Sequence, residues 1–225
     1  MPRLILVRHG ITDWNAAQRY QGHGDIRLND VGRRQARALA RRLMGEEIHA
    51  AYCSDLWRAR QTAKIILCKD AVVDGDICAW DSPVPCTADA RLRELSFGRW
   101  EGLTYDEIGQ SYPRELAIWR AEPMTVAPPD GERAADLVAR VGAALRTMVG
   151  AHGSQTVLVV AHGGSLQALV ALALGVTPRI PGQFRMEPGS VSELLVSAER
   201  FAGEGTATLT FLNDTHHFKD LDHDG

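Results

Sequence analysis

The sequence predicts an α/β fold, a three-layer sandwich with a mostly parallel sheet, helices on both faces, one antiparallel edge and a small helical cap lobe. Strand-like apolar runs alternate with amphipathic helical patterns along most of the 225 residues, the order in which crossover helices build a parallel sheet. Two of these runs, residues 4–7 and 157–161, are apolar without alternation, as expected of central strands buried on both faces. Near the end, residues 191–196 and 206–212 alternate well enough to form an antiparallel pair, with residues 202–205 as the turn between them.

The first run stops at Arg8-His9-Gly10, and ligands collect beyond the carboxyl ends of strands in open α/β sheets. Residues 12–24, polar and rich in glycine, read as a loop able to close over a ligand. Asp30 offers a helix N-cap. Ala36, Leu39, Ala40 and Leu43 follow at helical spacing, with Arg33, Arg34, Arg37, Arg41 and Arg42 mostly on the opposite face, where a solvated surface explains them better than a nucleic-acid patch. Residues 48–53 read as a second short strand, and Ser54-Asp55 as the cap of a helix to about Leu67, which puts Arg58 in its first turn. Residues 69–90 read as loop with one plausible strand at 71–73.

The charged and aromatic stretch 91–102 has no period and suits a loop held against a pocket. Helical patterns over residues 104–110 and 113–121, then a turn-rich stretch over 122–133, predict a cap or insert spanning about 104–133 within a single domain of residues 1–225. Ala134, Leu137, Val138, Val141, Ala144, Leu145 and Met148 trace one face of a long helix that returns the chain to the sheet. The strand of residues 156–161 then runs into His162-Gly163-Gly164, a second copy of the first corner, and residues 165–174 are apolar nearly all round, as in a helix buried on the sheet. The His- and Asp-rich tail, residues 214–225, reads as a frayed polar terminus.

Hydrophobic residues at 45% and charged residues at 24% are ordinary for a soluble globular chain, and the net charge of -3 argues against nucleic acid or an acidic membrane as partner. No apolar run approaches the roughly 20 residues that span a bilayer, and the first residues lack the regions of a secretory signal, so a cytoplasmic protein is expected. Cys53, Cys68, Cys78 and Cys86 form no C-x-x-C pair, so neither zinc nor a disulfide framework is expected.

One histidine at a strand end is more often structural than catalytic. Arg8 beside His9 changes this, because a guanidinium is a planar fork of donors costly to bury without an anion. Thr12 and Asn15 add neutral donors, Arg58 adds a second fork at a helix N-terminus, and His162 with Gly163 adds a donor and closely approachable backbone amides. Together these residue types describe a phosphate pocket. There a neutral imidazole is a good nucleophile, and neighbouring cations favour its neutral form. Attack by His9 on phosphorus would give a phosphohistidine, with the equatorial charge met by Arg8, Arg58 and His162 and no metal or cofactor required. The leaving alkoxide needs a proton, for which Glu94 is the best-placed carboxyl in sequence. A corner histidine packed on one side only further predicts that His9→Ala leaves the fold intact.

The chain resembles the histidine phosphatase superfamily, the phosphoglycerate-mutase-like proteins. Arg8-His9-Gly10 with Thr12 and Asn15 is similar to its phosphate-binding signature, and Ser54-Asp55-Leu56-Trp57-Arg58-Ala59-Arg60-Gln61-Thr62-Ala63 to the segment of its second arginine. Leu92-Arg93-Glu94-Leu95-Ser96-Phe97-Gly98-Arg99-Trp100-Glu101-Gly102 resembles its acid loop, and Val160-Ala161-His162-Gly163-Gly164 its second histidine. The resemblance implies His9 as the phosphorylated nucleophile, Glu94 as proton donor, and Arg8, Asn15, Arg58 and His162 as the phosphate-binding set. Gln21 and Gly22 would contact the substrate, a small-molecule phosphomonoester, and dimers are common in the family.

Cofactor-dependent mutases of the family carry Glu-Ser where this chain has Ile11-Thr12 and His-Gly-Asn where it has His162-Gly163-Gly164, and they lack the Phe97-Gly98-x-Trp100-Glu101-Gly102 ending. These differences favour a phosphatase over a phosphoglycerate mutase. Pro128-Pro129-Asp130-Gly131-Glu132 resembles an element of the α-ribazole phosphatase and fructose-2,6-bisphosphatase-like branch. A non-catalytic phosphate-binding member is the alternative of another class, and the presence of all four chemical residue types speaks against it.

Overall fold

The computed structural model describes residues 1–68, 82–179 and 182–219. Its sheet has six strands in the order β3-β2-β4-β1-β5-β6, with β1 (Arg3–Arg8), β2 (Ala50–Cys53), β3 (Cys86–Ala88), β4 (Thr156–Ala161), β5 (Val191–Val196) and β6 (Ala207–Asp214). The pairs β1/β4, β4/β2 and β2/β3 are parallel, while β5 runs antiparallel to both β1 and β6, which makes the expected antiparallel edge. Side chains alternate across a strand, so β1 feeds two cores. Leu4 and Leu6 join one apolar cluster with α6 (Ala134–His152) and α7 (Gly163–Leu174); Ile5 and Val7 join another with α2 (Asp30–Arg42) and α3 (Trp57–Leu67). Helices therefore cover both faces, and the run of residues 4–7 is apolar throughout because neither face meets water.

The segment 104–133 holds α4 (Tyr105–Ser111) and α5 (Pro113–Ala121). Thr104 caps α4 in a reciprocal box with Glu107, and Ile108, Leu116 and Trp119 are buried in the same cluster as α6 and α7. The two short helices thus share the main core on one side of the sheet.

Several local expectations give way to longer-range contacts. Residues 12–24 hold one short helix, α1 (Asp13–Ala16), capped by Thr12 in a box with Asn15. Asn29, rather than Asp30, caps α2, its side chain accepting from Gly32 N at 2.9 Å. Neither Ser54 nor Asp55 caps α3; the cap residue is Leu56, and the free amide of Trp57 is met from a distant loop by Asp25 Oδ1 at 2.6 Å. The edge strand β3 forms at residues 86–88, inside the stretch read as loop, while the strand expected at 71–73 lies outside the described residues. A short 3-10 turn (Ala198–Ala202) precedes the expected turn between β5 and β6. The tail is docked as far as it is described: His217 Nε2 donates to Gly189 O at 3.0 Å, and the Phe218 ring lies over Gly189.

Candidate active site

The two histidine corners meet because β1 and β4 are parallel neighbours. Arg8 is in register with Ala161, and His9 N donates to Ala161 O at 3.0 Å, so His9 and His162 leave the sheet side by side with ring centroids 5.0 Å apart. His9 Nδ1 stands 2.7 Å from Gly10 O; a carbonyl only accepts, so Nδ1 carries the proton and Nε2 keeps its lone pair. Arg58 Nε donates to His162 Nδ1 at 3.2 Å, which leaves the other nitrogen, Nε2, as the protonated one in a neutral ring. Burial, then the guanidinium of Arg58, holds both histidines well below the ordinary imidazole range, and Arg8 contributes at each. Desolvation is the larger cause, ahead of the cations expected from the sequence.

Arg58 is completely buried in the first turn of α3, and burial pushes its pKa down to about 10. Its Nη1 and Nη2 donate to the carbonyls of Gly24 and Gly22, each at 2.7 Å, so three of its five N–H donors are committed to the protein and two remain. Gly22 sits at φ 48°, and a Cβ there would stand 2.1 Å from Glu101 Oε1 and 2.9 Å from Phe97 N, so a side chain would displace the carbonyl that orients Arg58. Arg8 Nη1 donates to Met186 O, and its guanidinium lies against Gly163 at the start of α7. Two buried nitrogens, Arg8 Nε and His162 Nε2, have no hydrogen-bond partner among the described residues. Buried donors lacking an acceptor are costly, and an anion settled beside His9 would relieve them.

Glu94 is brought to the same corner from the other side. Its Oε1 accepts from Leu95 N at 2.9 Å and its Oε2 from Gly164 N at 3.0 Å, which holds the carboxyl at the N-terminus of α7, two residues from His162. Thr12 is buried, its hydroxyl 3.0 Å from Gln21 Oε1 and 3.2 Å from Asn15 Oδ1. That hydroxyl therefore organises the loop, while the NH2 ends of Asn15 and Gln21 make no hydrogen bond among the described residues and stay available as donors.

Residues with no role legible in the sequence tie these loops together. Glu101 Oε1 accepts from His23 N at 2.9 Å and Phe97 N at 3.1 Å, joining the loop of Gln21 and Gly22 to the acid loop. Asp55 pairs with Arg93 at 2.7 and 2.6 Å, anchoring the acid loop to the entrance of α3. The hydrogen bond from Arg93 holds the Asp55 carboxyl below its usual range. Arg140 was equally unread, and Glu132 was read only as the end of the Pro128–Glu132 element. A signal existed for Arg140, which adjoins Val141 on the apolar stripe of α6 where an unpaired cation would be out of place.

Residues 4–207 match the profile of the histidine phosphatase superfamily, branch 1. The chain is 34% identical to phosphoserine phosphatase 1 of Hydrogenobacter thermophilus over 78% of each protein. It is 38% identical to glucosyl-3-phosphoglycerate phosphatase of Mycolicibacterium vanbaalenii over 77% of this chain and 74% of that one. Phosphoglycerate mutase-like protein 4 of Arabidopsis thaliana is 36% identical over 74% of this chain and 68% of its own length. Among solved structures, Bacillus stearothermophilus YhfR superposes with a TM-score of 0.79 at 33% identity, covering 97% of this chain and 100% of that one. The α-ribazole phosphatase of Shigella flexneri gives 0.79 at 27% identity, covering 94% and 96%. With its four motifs gathered at one strand-end crevice and this match along nearly its whole length, the chain belongs to the histidine phosphatase superfamily, branch 1.

Proposed function

We propose that the chain hydrolyses small phosphomonoesters, without metal, through a phosphohistidine at His9. The observation that carries this reading is the pairing of a His9 ring whose proton is fixed on Nδ1 with buried, unpartnered donors at Arg8 and His162. The Nε2 lone pair attacks phosphorus, and the bond from phosphorus to the ester oxygen breaks. Glu94 passes its proton to that oxygen, and the alcohol leaves. The resulting Glu94 carboxylate takes a proton from water, which attacks the phosphorus–nitrogen bond and releases phosphate with His9 restored. Arg8, Arg58 and His162, with the amides of Asn15 and Gln21, meet the charge on the equatorial oxygens. The relatives named for phosphoserine and glucosyl-3-phosphoglycerate support a small phosphorylated metabolite as substrate. The segment 104–133 forms the wall on the leaving-group side, supported by the ion pair of Arg19 with Glu107 at 2.7 Å, which fastens α4 to the loop before Gln21.

Phosphate release from an aryl phosphate in excess chelator is the first test; turnover that appears only on adding a divalent metal overturns the reading. His9→Asn keeps a donor where Nδ1 stands and removes Nε2, so it should abolish turnover and acid-labile labelling by phosphate while the protein remains folded. Relatives named phosphoglycerate mutase-like protein 4 and probable phosphoglycerate mutase GpmB support a second reading, a mutase. Glycerate as the product from 3-phosphoglycerate supports the phosphatase, and the 2-phospho isomer supports the mutase.

A further inference from the structure

Resting on Glu94 as the acid, we infer that Arg140, clasped by Glu132, is a positioning residue that sets Glu94 for proton transfer. Every N–H of the Arg140 guanidinium is engaged. Nε donates to Glu132 Oε2 at 3.1 Å, Nη1 to the carbonyls of Arg91 at 2.9 Å and Arg93 at 2.6 Å, and Nη2 to the carbonyl of Glu94 at 2.7 Å and to Glu132 Oε1. No donor is left for a substrate, so this cation is not another phosphate ligand.

The three carbonyls belong to a single 3-10 turn (Ala90–Leu92) and the chain just after it, where no strand ladder holds them, and half-buried backbone acceptors need a partner from somewhere. Arg140 supplies it from the rigid helix α6. Glu132 extends the clasp beyond Glu94 by accepting from Ser96 N at 3.0 Å, so the backbone is gripped on both sides of the acid. His23 Nε2 adds a second donor to the Glu94 carbonyl at 3.0 Å. With the backbone so fixed, the Glu94 side chain reaches Leu95 N and Gly164 N beside His162. A lysine could not replace this fork, since its three donors radiate from a single nitrogen.

The test compares Arg140→Lys, Glu94→Gln and the double variant on aryl and alkyl phosphates. The specificity constant reports transfer to His9, the Ki of inorganic phosphate reports the phosphate pocket, and a thermal melt reports the fold. A misplaced acid should cost about tenfold to a hundredfold on alkyl esters, where the leaving group needs the proton, and far less on a nitrophenyl ester. The phosphate Ki should stay unchanged, and the double variant should be little slower than Glu94→Gln alone. Should Arg140→Lys fail to fold, Glu132→Gln carries the same comparison, because it loosens the clasp while preserving side-chain size. Equal slowing of all esters by the Arg140 or Glu132 variant, with Glu94→Gln still selective, overturns the inference and leaves the proposed mechanism standing. Loss of selectivity in Glu94→Gln itself overturns both.

Discussion

At His9 the burial of the ring contributes more to its neutrality than the neighbouring guanidinium groups, and the same holds at His162. Both folded-state pKa values lie below that of an exposed histidine, about 6.5. As pH falls below that value the unfolded chain takes up protons that the folded rings refuse. Stability is therefore complete above about pH 6.5 and is lost on the way down, at up to about 1.4 kcal/mol per pH unit for each ring. Denaturant melts across this range should show the decline in the wild type and a shallower one in His9→Asn; parallel slopes would mean that His9 is charged in the fold. Asp55, held low by Arg93, adds its own loss only near the carboxylate range, about pH 4. The expectation that His9 packs on one side only is not met. His9 is 2% exposed, so His9→Ala would remove buried contacts as well as the proposed nucleophile, and His9→Asn is the better probe. Residue types were legible in the sequence, since Arg8, His9, Arg58, Glu94 and His162 all come to one corner. What each donates to was not, because the partners of Arg58 are carbonyls more than thirty residues away in the chain.

Elements were legible where periodicity or a continuous apolar run extends over several residues, as in α2, α6, α7 and β4. They were illegible where the deciding partner is remote. The three-residue β3 is too short to carry a pattern and exists by pairing with β2, and α3 starts where Asp25 reaches across from another loop. The meeting of β1 and α2 is a further case. Gly10 and Gly32 pack backbone to backbone, and a Cβ on Gly32 would stand 2.1 Å from Ile11 O. Gly32→Ala should lower stability by about 1–3 kcal/mol, the usual cost of overpacking against unyielding atoms. A denaturant midpoint equal to wild type would show that the start of α2 can retreat. The proposed clasp on the acid loop is the counterpart, a long helix holding a segment whose own order is two single 3-10 turns.

The fold as a whole is strongly non-local around its central strand. β1 lies between β4 and β5, both of which follow it by well over a hundred residues, so nothing in the first two thirds of the chain can pair with it. A fragment ending at Gly153 keeps α2, α3 and α6 but lacks both neighbours of β1. It should show no cooperative thermal transition by circular dichroism, and a sharp melt would overturn this account of the core. Fold class was readable from the alternation of strands and helices, whereas strand order was not, because register across such separations leaves no local trace. The same strand order has a consequence during synthesis. About 150 residues separate Arg8 from its partner Ala161, which at about 5–20 residues per second is about 8–30 s of translation. The strand carrying His9 is thus made well before the strand it pairs with. Throughout that interval the apolar run from Leu4 to Val7 lacks its neighbouring strand and is a ready target for chaperones.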